Sequence, residues 1–345
     1  MYSVDKTGYK KVLLNFHRQV EDGLKLFQDS QPKLDGSKIK NILYFGMGGS
    51  GIVGDLLIDI LFDDLTVPMT VVRGYLSPAH CNSETLIVAS SYSGNTEETL
   101  SALEAASGKG AQVLAITSGG KLADLAEKNK WSLIRVPGDL MPRQALGYLF
   151  FPLYHTFGSI KLITNYKEDL RSFIHFLKDL NKKNDYPNTE GHVLSLELAR
   201  TIQGKVPVLY STAPYLRTVS RRWQNQIHEN GKSLAFANTL PEMNHNEIVG
   251  WELEALDLEQ FIVIFLENEN PHPRINKRIE LSKKIIKKRG VQVVDIYTCG
   301  ECILEKVFSL VVLGDWMSYY LALGYKKDPA TIKNIDFLKG ELAKF

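Results

Sequence analysis

The run Leu86-Ile87-Val88-Ala89 is wholly apolar, and Ser90-Ser91-Tyr92-Ser93-Gly94-Asn95-Thr96 separates it from a helical pattern that opens at Glu97. A short apolar run without polar alternation reads as a strand buried on both faces, and such strands belong to parallel sheets covered by helices. The same unit recurs. A strand over 41–45 ends in Gly46-Met47-Gly48-Gly49-Ser50-Gly51 and is followed by a helix expected over 52–62. Further strands are expected over 69–72, 113–116 and 132–134, with helices between them. This rhythm predicts a doubly wound α/β fold with a mostly parallel sheet flanked by helices, whose ligands sit beyond the carboxyl ends of the strands. Both glycine- and serine-rich loops lie on that edge.

With 345 residues the chain is long enough for two domains. A second alternation places strands over 206–210, 233–237, 261–265 and 291–297, and helices over 216–230, 275–288 and 303–323. The two halves look like variants of one α/β unit. Only the first carries a serine-rich loop, so only the first is expected to hold phosphate. A helix over about 9–27, with Val12, Leu13, Phe16, Val20, Leu24 and Phe27 at helical spacing, is expected to pack on the first domain. Residues 144–183 read as a helical bridge, and 184–191 as the break. The expected division is therefore 1–160, with the phosphate-binding loops; 161–191, a helical bridge and linker; and 192–345.

Lys+Arg 41 against Asp+Glu 39 leaves +2, so charge does not point to nucleic acid or an acidic membrane. Lys283, Lys284, Lys287, Lys288 and Arg289 read as a solvated helix end. The first residues form no apolar signal core, and no run approaches ~18 apolar residues, so neither export nor membrane spanning is expected. Cys81, Cys299 and Cys302 make no disulfide framework, which fits a reducing cytoplasm. Cys299-Gly300-Glu301-Cys302 is placed like a redox dithiol but is read as incidental, and no second pair completes a zinc site.

The chemistry concentrates in a few stretches. A strand-to-helix turn aims backbone N–H groups at one point, and the helix dipole favours an anion there. Hydroxyls at Ser91, Ser93 and Thr96 add donors, which makes a phosphate cup without a cationic side chain; the plain alternative is a Ser/Thr helix cap. Gly46 to Gly51 also matches a dinucleotide fingerprint, which expects an acidic residue at the end of the next strand. Arg73 stands there instead, so an NADP oxidoreductase is the runner-up, and it leaves Ser91 to Thr96 without a purpose. Arg143, just past Pro142 at a helix start, needs an anion or a carboxylate partner. Glu229 closes a helix, where a carboxylate is unfavourably placed, and Asn244-His245-Asn246-Glu247 follows downstream. Glu and His together are what proton shuttling needs. His17, His80, His155, His175, His192 and His272 lack such polar company and read as structural or surface residues.

These loops resemble the sugar isomerase (SIS) domain. Pro142-Arg143, Glu229-Asn230, Asn244-His245-Asn246-Glu247 and Leu338-Lys339 resemble the bifunctional phosphoglucose/phosphomannose isomerase family, and the likeness runs over most of the chain as two tandem SIS domains. The resemblance implies an aldose-ketose isomerase that interconverts glucose 6-phosphate and mannose 6-phosphate with fructose 6-phosphate through a cis-enediolate. It implies a homodimer with the active site at the subunit interface, without metal or cofactor. By the same resemblance Gly48, Gly49, Ser50, Ser91, Ser93 and Thr96 hold the phosphate and Arg143 stabilises the enediolate. Glu229 is then the base, His245 opens the ring and Lys339 contacts substrate. His228 and the Cys-x-x-Cys depart from the family pattern. A noncatalytic SIS regulator, which needs only the loops, is the other alternative.

Overall fold

The structure, a computed structural model, describes residues 4–252, 257–269 and 271–344. The chain divides into two compact units, residues 15–178 and a second made of the residues up to Leu14 together with those from Asp179 onward. It opens with α1 (Tyr9–Leu14), breaks at Asn15 and continues as α2 (Phe16–Ser30). The single helix expected over 9–27 is thus two, and each belongs to a different unit. Apolar spacing runs unbroken through both helices, which is why sequence alone joins them.

The 15–178 unit continues with β1 (Asn41–Phe45), α3 (Gly48–Ile60), β2 (Met69–Val72) and β3 (Thr85–Ser90). Next come α4 (Glu97–Ala106), β4 (Gln112–Thr117), α5 (Gly120–Lys128), β5 (Ser132–Arg135) and α6 (Leu146–Ser159), and then α7 (Arg171–Lys183), whose residues from Asp179 onward count with the second unit. The strands form one parallel sheet in the order β2-β1-β3-β4-β5. Every residue of β3 is buried, as an interior parallel strand requires. Leu43, Phe45, Ile87, Ala89 and Ala115 make a core with Leu103 and Leu122 from the covering helices. The order reverses between β1 and β3. The loops after these two strands therefore part in opposite directions and leave a crevice at the carboxyl edge.

α6 is a core helix of this unit rather than part of a bridge, packed on α2 and α3. Gln19 of α2 satisfies its N-terminus: Oε1 accepts from the N–H groups of Gly147 (2.9 Å) and Tyr148 (3.2 Å).

The second unit contains α1, α8 (Leu194–Ile202), β6 (Val206–Thr212), α9 (Arg217–Glu229), β7 (Phe236–Leu240) and β8 (Phe261–Glu267). It ends with α10 (Pro273–Lys287), β9 (Gln292–Tyr297), α11 (Ile303–Gly324) and α12 (Lys333–Leu342). Its sheet is parallel in the order β7-β6-β8-β9. The expected break at 184–191 lies inside this unit. Tyr320 donates to the Asn184 carbonyl (2.6 Å), Tyr186 N–H donates to Tyr320 (2.9 Å), and Lys10 pairs with Asp185 (2.5 Å).

α11 is long and apolar enough by composition to cross a membrane, but 94% of its most apolar window is buried within the protein, as in a core helix. One further expectation is corrected. Lys283 is not solvated. Its ammonium pairs with Glu267 (2.5 Å) and Asp295 (2.9 Å) and lies over the Phe265 ring, while Lys284, Lys287 and Lys288 are exposed.

His155 on α6 is fully buried. Nδ1 meets the Tyr166 hydroxyl at 3.0 Å and Nε2 has no hydrogen-bond partner. Burial pulls its pKa down to about 4. The unfolded imidazole, near 6.5, takes up its proton first. Stability is therefore full above about pH 6.5 and falls as pH drops toward 4, by up to about 3 kcal/mol. Thermal melts across this range should show that slope in the parent chain and a shallower one in His155→Gln.

Candidate active site

In the 15–178 unit the glycine-rich stretch is itself the first turn of α3. The helix starts at Gly48, four residues before the expected position, because Ser50 and Gly51 N–H both bond to the Met47 carbonyl (3.0 and 2.9 Å). No side chain caps α3, and none caps α4, whose N-cap is Thr96. Two uncapped N-termini thus follow adjacent strands at the crevice, each with first-turn N–H groups that have no intrahelical acceptor.

The two loops are locked together. Ser50, which is buried, accepts from the Tyr92 N–H at 3.1 Å. Ser91 Oγ and Thr96 Oγ1 lie 2.8 Å apart, and Ser91 Oγ also accepts from Thr96 N–H (3.3 Å). Ser93 is exposed and accepts only from Asn95 N–H (3.3 Å), which leaves its own proton to donate. The serines therefore shape one surface instead of merely capping α4.

Gly49 meets the segment that carries Arg143. A Cβ at Gly49 would stand 2.9 Å from Arg143 N and 2.9 Å from the Pro142 carbonyl carbon. Arg143 sits in a single 3-10 turn, Pro142–Gln144, ahead of α6, and is buried. Tyr92 ties the same approach from the other side, since its hydroxyl donates to Pro137 O (2.6 Å) and accepts from Leu140 N–H (3.0 Å). Arg73 is engaged locally. It pairs with Asp55 and donates to the Gly51 carbonyl at 3.2 Å, so the guanidinium that the dinucleotide reading needs is already held by α3.

Two residues of these loops have roles that the sequence does not signal. Tyr92 is one. Asn95 is the other: its Oδ1 accepts from Lys121 N–H (3.1 Å) and so caps α5. Nothing local to either residue names a partner so far along the chain. A hollow of about 870 Å³ between α4 and α5 takes only Asn95 from the loop.

The second unit holds the other candidates. Glu229 is the last residue of α9 and is partly exposed. It lines a cleft of about 660 Å³ with Lys232, Lys326, Lys327, Lys333 and Ile335. Lys232 donates to the Glu229 carbonyl and to Pro329 O (3.3 Å). Asn230 is fully buried, donating to Tyr9 Oη (2.9 Å) and Ser318 Oγ (3.0 Å). The departure at His228 is structural, because its Nε2 stands 3.1 Å from both the N–H and the carbonyl oxygen of Ala235 and bonds one or the other according to its tautomer. Lys339 is exposed on α12, whose first turn lines the Glu229 cleft.

His245 ends a 3-10 turn, Glu242–His245, and is exposed. It follows the carboxyl end of β7, whereas Glu229 precedes the amino end of the same strand. A five-residue strand spans about 16 Å, so these two candidates stand at opposite edges of one sheet. Among the described residues no group of three His, Cys, Asp or Glu side chains has a metal-site arrangement. The thiols of Cys299 and Cys302 are free and exposed, and Cys81 is free and buried.

This architecture is that of the SIS phosphosugar isomerase class. A model of the bacterial phospho-glucose isomerase C-terminal SIS domain matches residues 193–342, and the SIS domain model matches 37–134. A hypothetical protein from Thermus thermophilus has the same fold, with a TM-score of 0.76 at 15% identity over 98% of this chain and 91% of that one. The chain is 38% identical over 330 residues to the bifunctional phosphoglucose/phosphomannose isomerase of Caldicellulosiruptor bescii, covering 96% of this chain and 97% of that protein. It is 35% identical over 336 residues to the protein of that name from Aquifex aeolicus, at 97% and 98% coverage. The chain belongs to the bifunctional phosphoglucose/phosphomannose isomerase family.

Gly94 tests the loop lock. Its φ is +72°, and a Cβ there would stand 1.7 Å from the Gly119 carbonyl oxygen. Gly94→Ala should cost at least about 1–3 kcal/mol and open the cup. Calorimetry should show a lowered melting temperature and binding of a sugar phosphate weakened more than about tenfold, because one lost charge-assisted hydrogen bond already costs about 1.5–3 kcal/mol.

Proposed function

We propose that this chain is an aldose-ketose isomerase that interconverts glucose 6-phosphate and mannose 6-phosphate with fructose 6-phosphate. The carrying observation is family membership over nearly the whole length. The two uncapped helix N-termini, at a crevice lined by Ser50, Ser91, Ser93 and Thr96, add a place for phosphate. Binding there supplies energy remote from the reacting carbons. In this reading His245 protonates the ring oxygen and the pyranose opens. Glu229 takes the C2 proton and returns it to C1 through a cis-enediolate. Arg143, held in its turn by packing, faces the developing negative charge, and Lys339 contacts substrate. Glucose and mannose phosphates differ only at C2, so both collapse to one enediolate. One base serves both when the C2–C3 bond rotates.

The opposite-edge positions of Glu229 and His245 support a site completed between subunits of a homodimer, with the partner's His245 serving the Glu229 of this chain. α12 supports assembly as well: none of its residues is buried, and Ile335, Phe337, Leu338 and Leu342 are exposed. The free thiols fit a reducing cytoplasm. With Arg143 carrying the charge stabilisation, the scheme calls for neither metal nor cofactor.

Glu229→Gln keeps shape and hydrogen bonding but removes the basic carboxylate. Turnover on both hexose phosphates should fall by about 10²–10⁴, with substrate affinity nearly unchanged. Exchange of the C2 proton with deuterated water should fall in parallel; exchange at the parental rate would remove Glu229 from the role of base. Activity of the parent should persist in EDTA, and a loss that added zinc restores would refute the scheme. Ser93→Ala with Thr96→Ala should instead raise KM, since each charge-assisted bond to a phosphate oxygen is worth about 1.5–3 kcal/mol.

A further inference from the structure

We infer that Glu247 is a positioning residue, whose carboxylate holds the His245 segment in the geometry that ring opening requires. The inference rests on the role proposed for His245. That imidazole is exposed, and its side chain makes no hydrogen bond or ion pair with a described residue. An acid that must meet one ring oxygen has to be held to a fraction of an ångström. Here the hold comes from its neighbours in the chain.

On the near side, Met243 is fully buried in the core that Tyr210, Leu240 and Phe265 share. Asn244 Nδ2 donates to Ser282 Oγ of α10 at 2.8 Å. On the far side, Glu247 reaches across two strands. Its Oε1 accepts from the Tyr210 hydroxyl of β6 (2.6 Å) and its Oε2 from Asn238 Nδ2 of β7 (2.5 Å). Trp251 Nε1–H donates to the same Tyr210 oxygen at 3.0 Å, which fixes the phenol's direction. Burial, then the hydrogen bond and charge of Glu247, push the Tyr210 phenol well above its ordinary value. It therefore stays a donor throughout the working range. Both carboxylate oxygens are thus committed to the sheet, and His245 lies between two anchored residues. Glu247 acts through this backbone and not on the substrate.

The test compares Glu247→Gln and Tyr210→Phe in the parent and in the His245→Ala background, using steady-state turnover of glucose 6-phosphate by the full chain. A displaced acid costs rate and not affinity. Each single variant should lose about ten- to a hundredfold in kcat with KM within about twofold. In the His245→Ala background neither should cost more than about twofold further, because the residue being positioned is gone. A loss that multiplies with that of His245→Ala overturns the inference, since it would mean that Glu247 serves the fold or another step. Should Glu247→Gln fail to fold, Tyr210→Phe and Asn238→Ala carry the same comparison. Should His245→Ala itself turn over normally, the assigned role of His245 fails, and the inference falls with it in a recognisably different way.

Discussion

The pair between Arg222 of α9 and Asp315 of α11 fixes the half of the chain that carries the proposed base. Nε and Nη2 of the buried guanidinium meet the two carboxylate oxygens at 3.1 and 2.7 Å, and Gln226 adds a bond to Asp315 Oδ1 at 2.7 Å. Two charges taken out of water need this degree of satisfaction, and removing one partner of such a pair costs about 3–5 kcal/mol. The ladder continues along the same face of α9. Trp223 Nε1 donates to Leu310 O (2.8 Å), and Asn230 closes the row on Ser318 and Tyr9. Glu229 stands one residue before that last rung, so its backbone has little freedom.

The ladder explains why the first residues of the chain belong with the C-terminal unit. Tyr9 stacks on Tyr319, and Asp5 both caps α1, by accepting from Tyr9 N–H (2.7 Å) and Lys10 N–H (3.0 Å), and accepts from the Tyr319 hydroxyl (3.1 Å). α1 is too short to be stable alone. It exists because α11 offers it a face, and in return it supplies the second acceptor for Asn230. The 15–178 unit reaches rigidity by other means: Ser50 to Tyr92, Tyr92 to Pro137 and Leu140, and the contact of Gly49 with Pro142 and Arg143 form a chain of short-range locks around the crevice. Donors fixed in this way need little reorganisation when an anion arrives.

Much of this was legible in sequence, for a definite reason. A strand buried on both faces is a bare apolar run, and the one expected over 41–45 forms as Asn41–Phe45. Where burial is one-sided the signal weakens. The strand expected over 233–237 forms as Phe236–Leu240, an edge strand that follows the exposed Leu234. Glycines mask the start of α3, because helix propensity describes helix interiors and the first turn needs no intrahelical donors. The candidate site residues are proposed from their types and from family resemblance. Their couplings could not be read that way. Glu247 with Tyr210, Asn95 with Lys121 and Asn230 with Tyr9 join residues 37, 26 and 221 positions apart, and no local pattern encodes such pairs.

Glu229 shows how a locally unfavourable position is made tolerable. A carboxylate at a helix carboxyl end opposes the macrodipole, at a cost of about 0.3–1 kcal/mol when exposed. Lys232 offsets this from three residues on. It adopts a left-handed conformation, φ +55°, and its ammonium caps the Glu229 carbonyl while also reaching Pro329. A non-glycine residue in that region is itself strained by about 1–2 kcal/mol. Both small costs fall at one corner of the fold, beside a cleft lined by further lysines. Such a corner does nothing for stability. It leaves a carboxylate partly open to solvent beside cationic groups, with its backbone anchored by Asn230, which suits the proton-transfer role proposed for it.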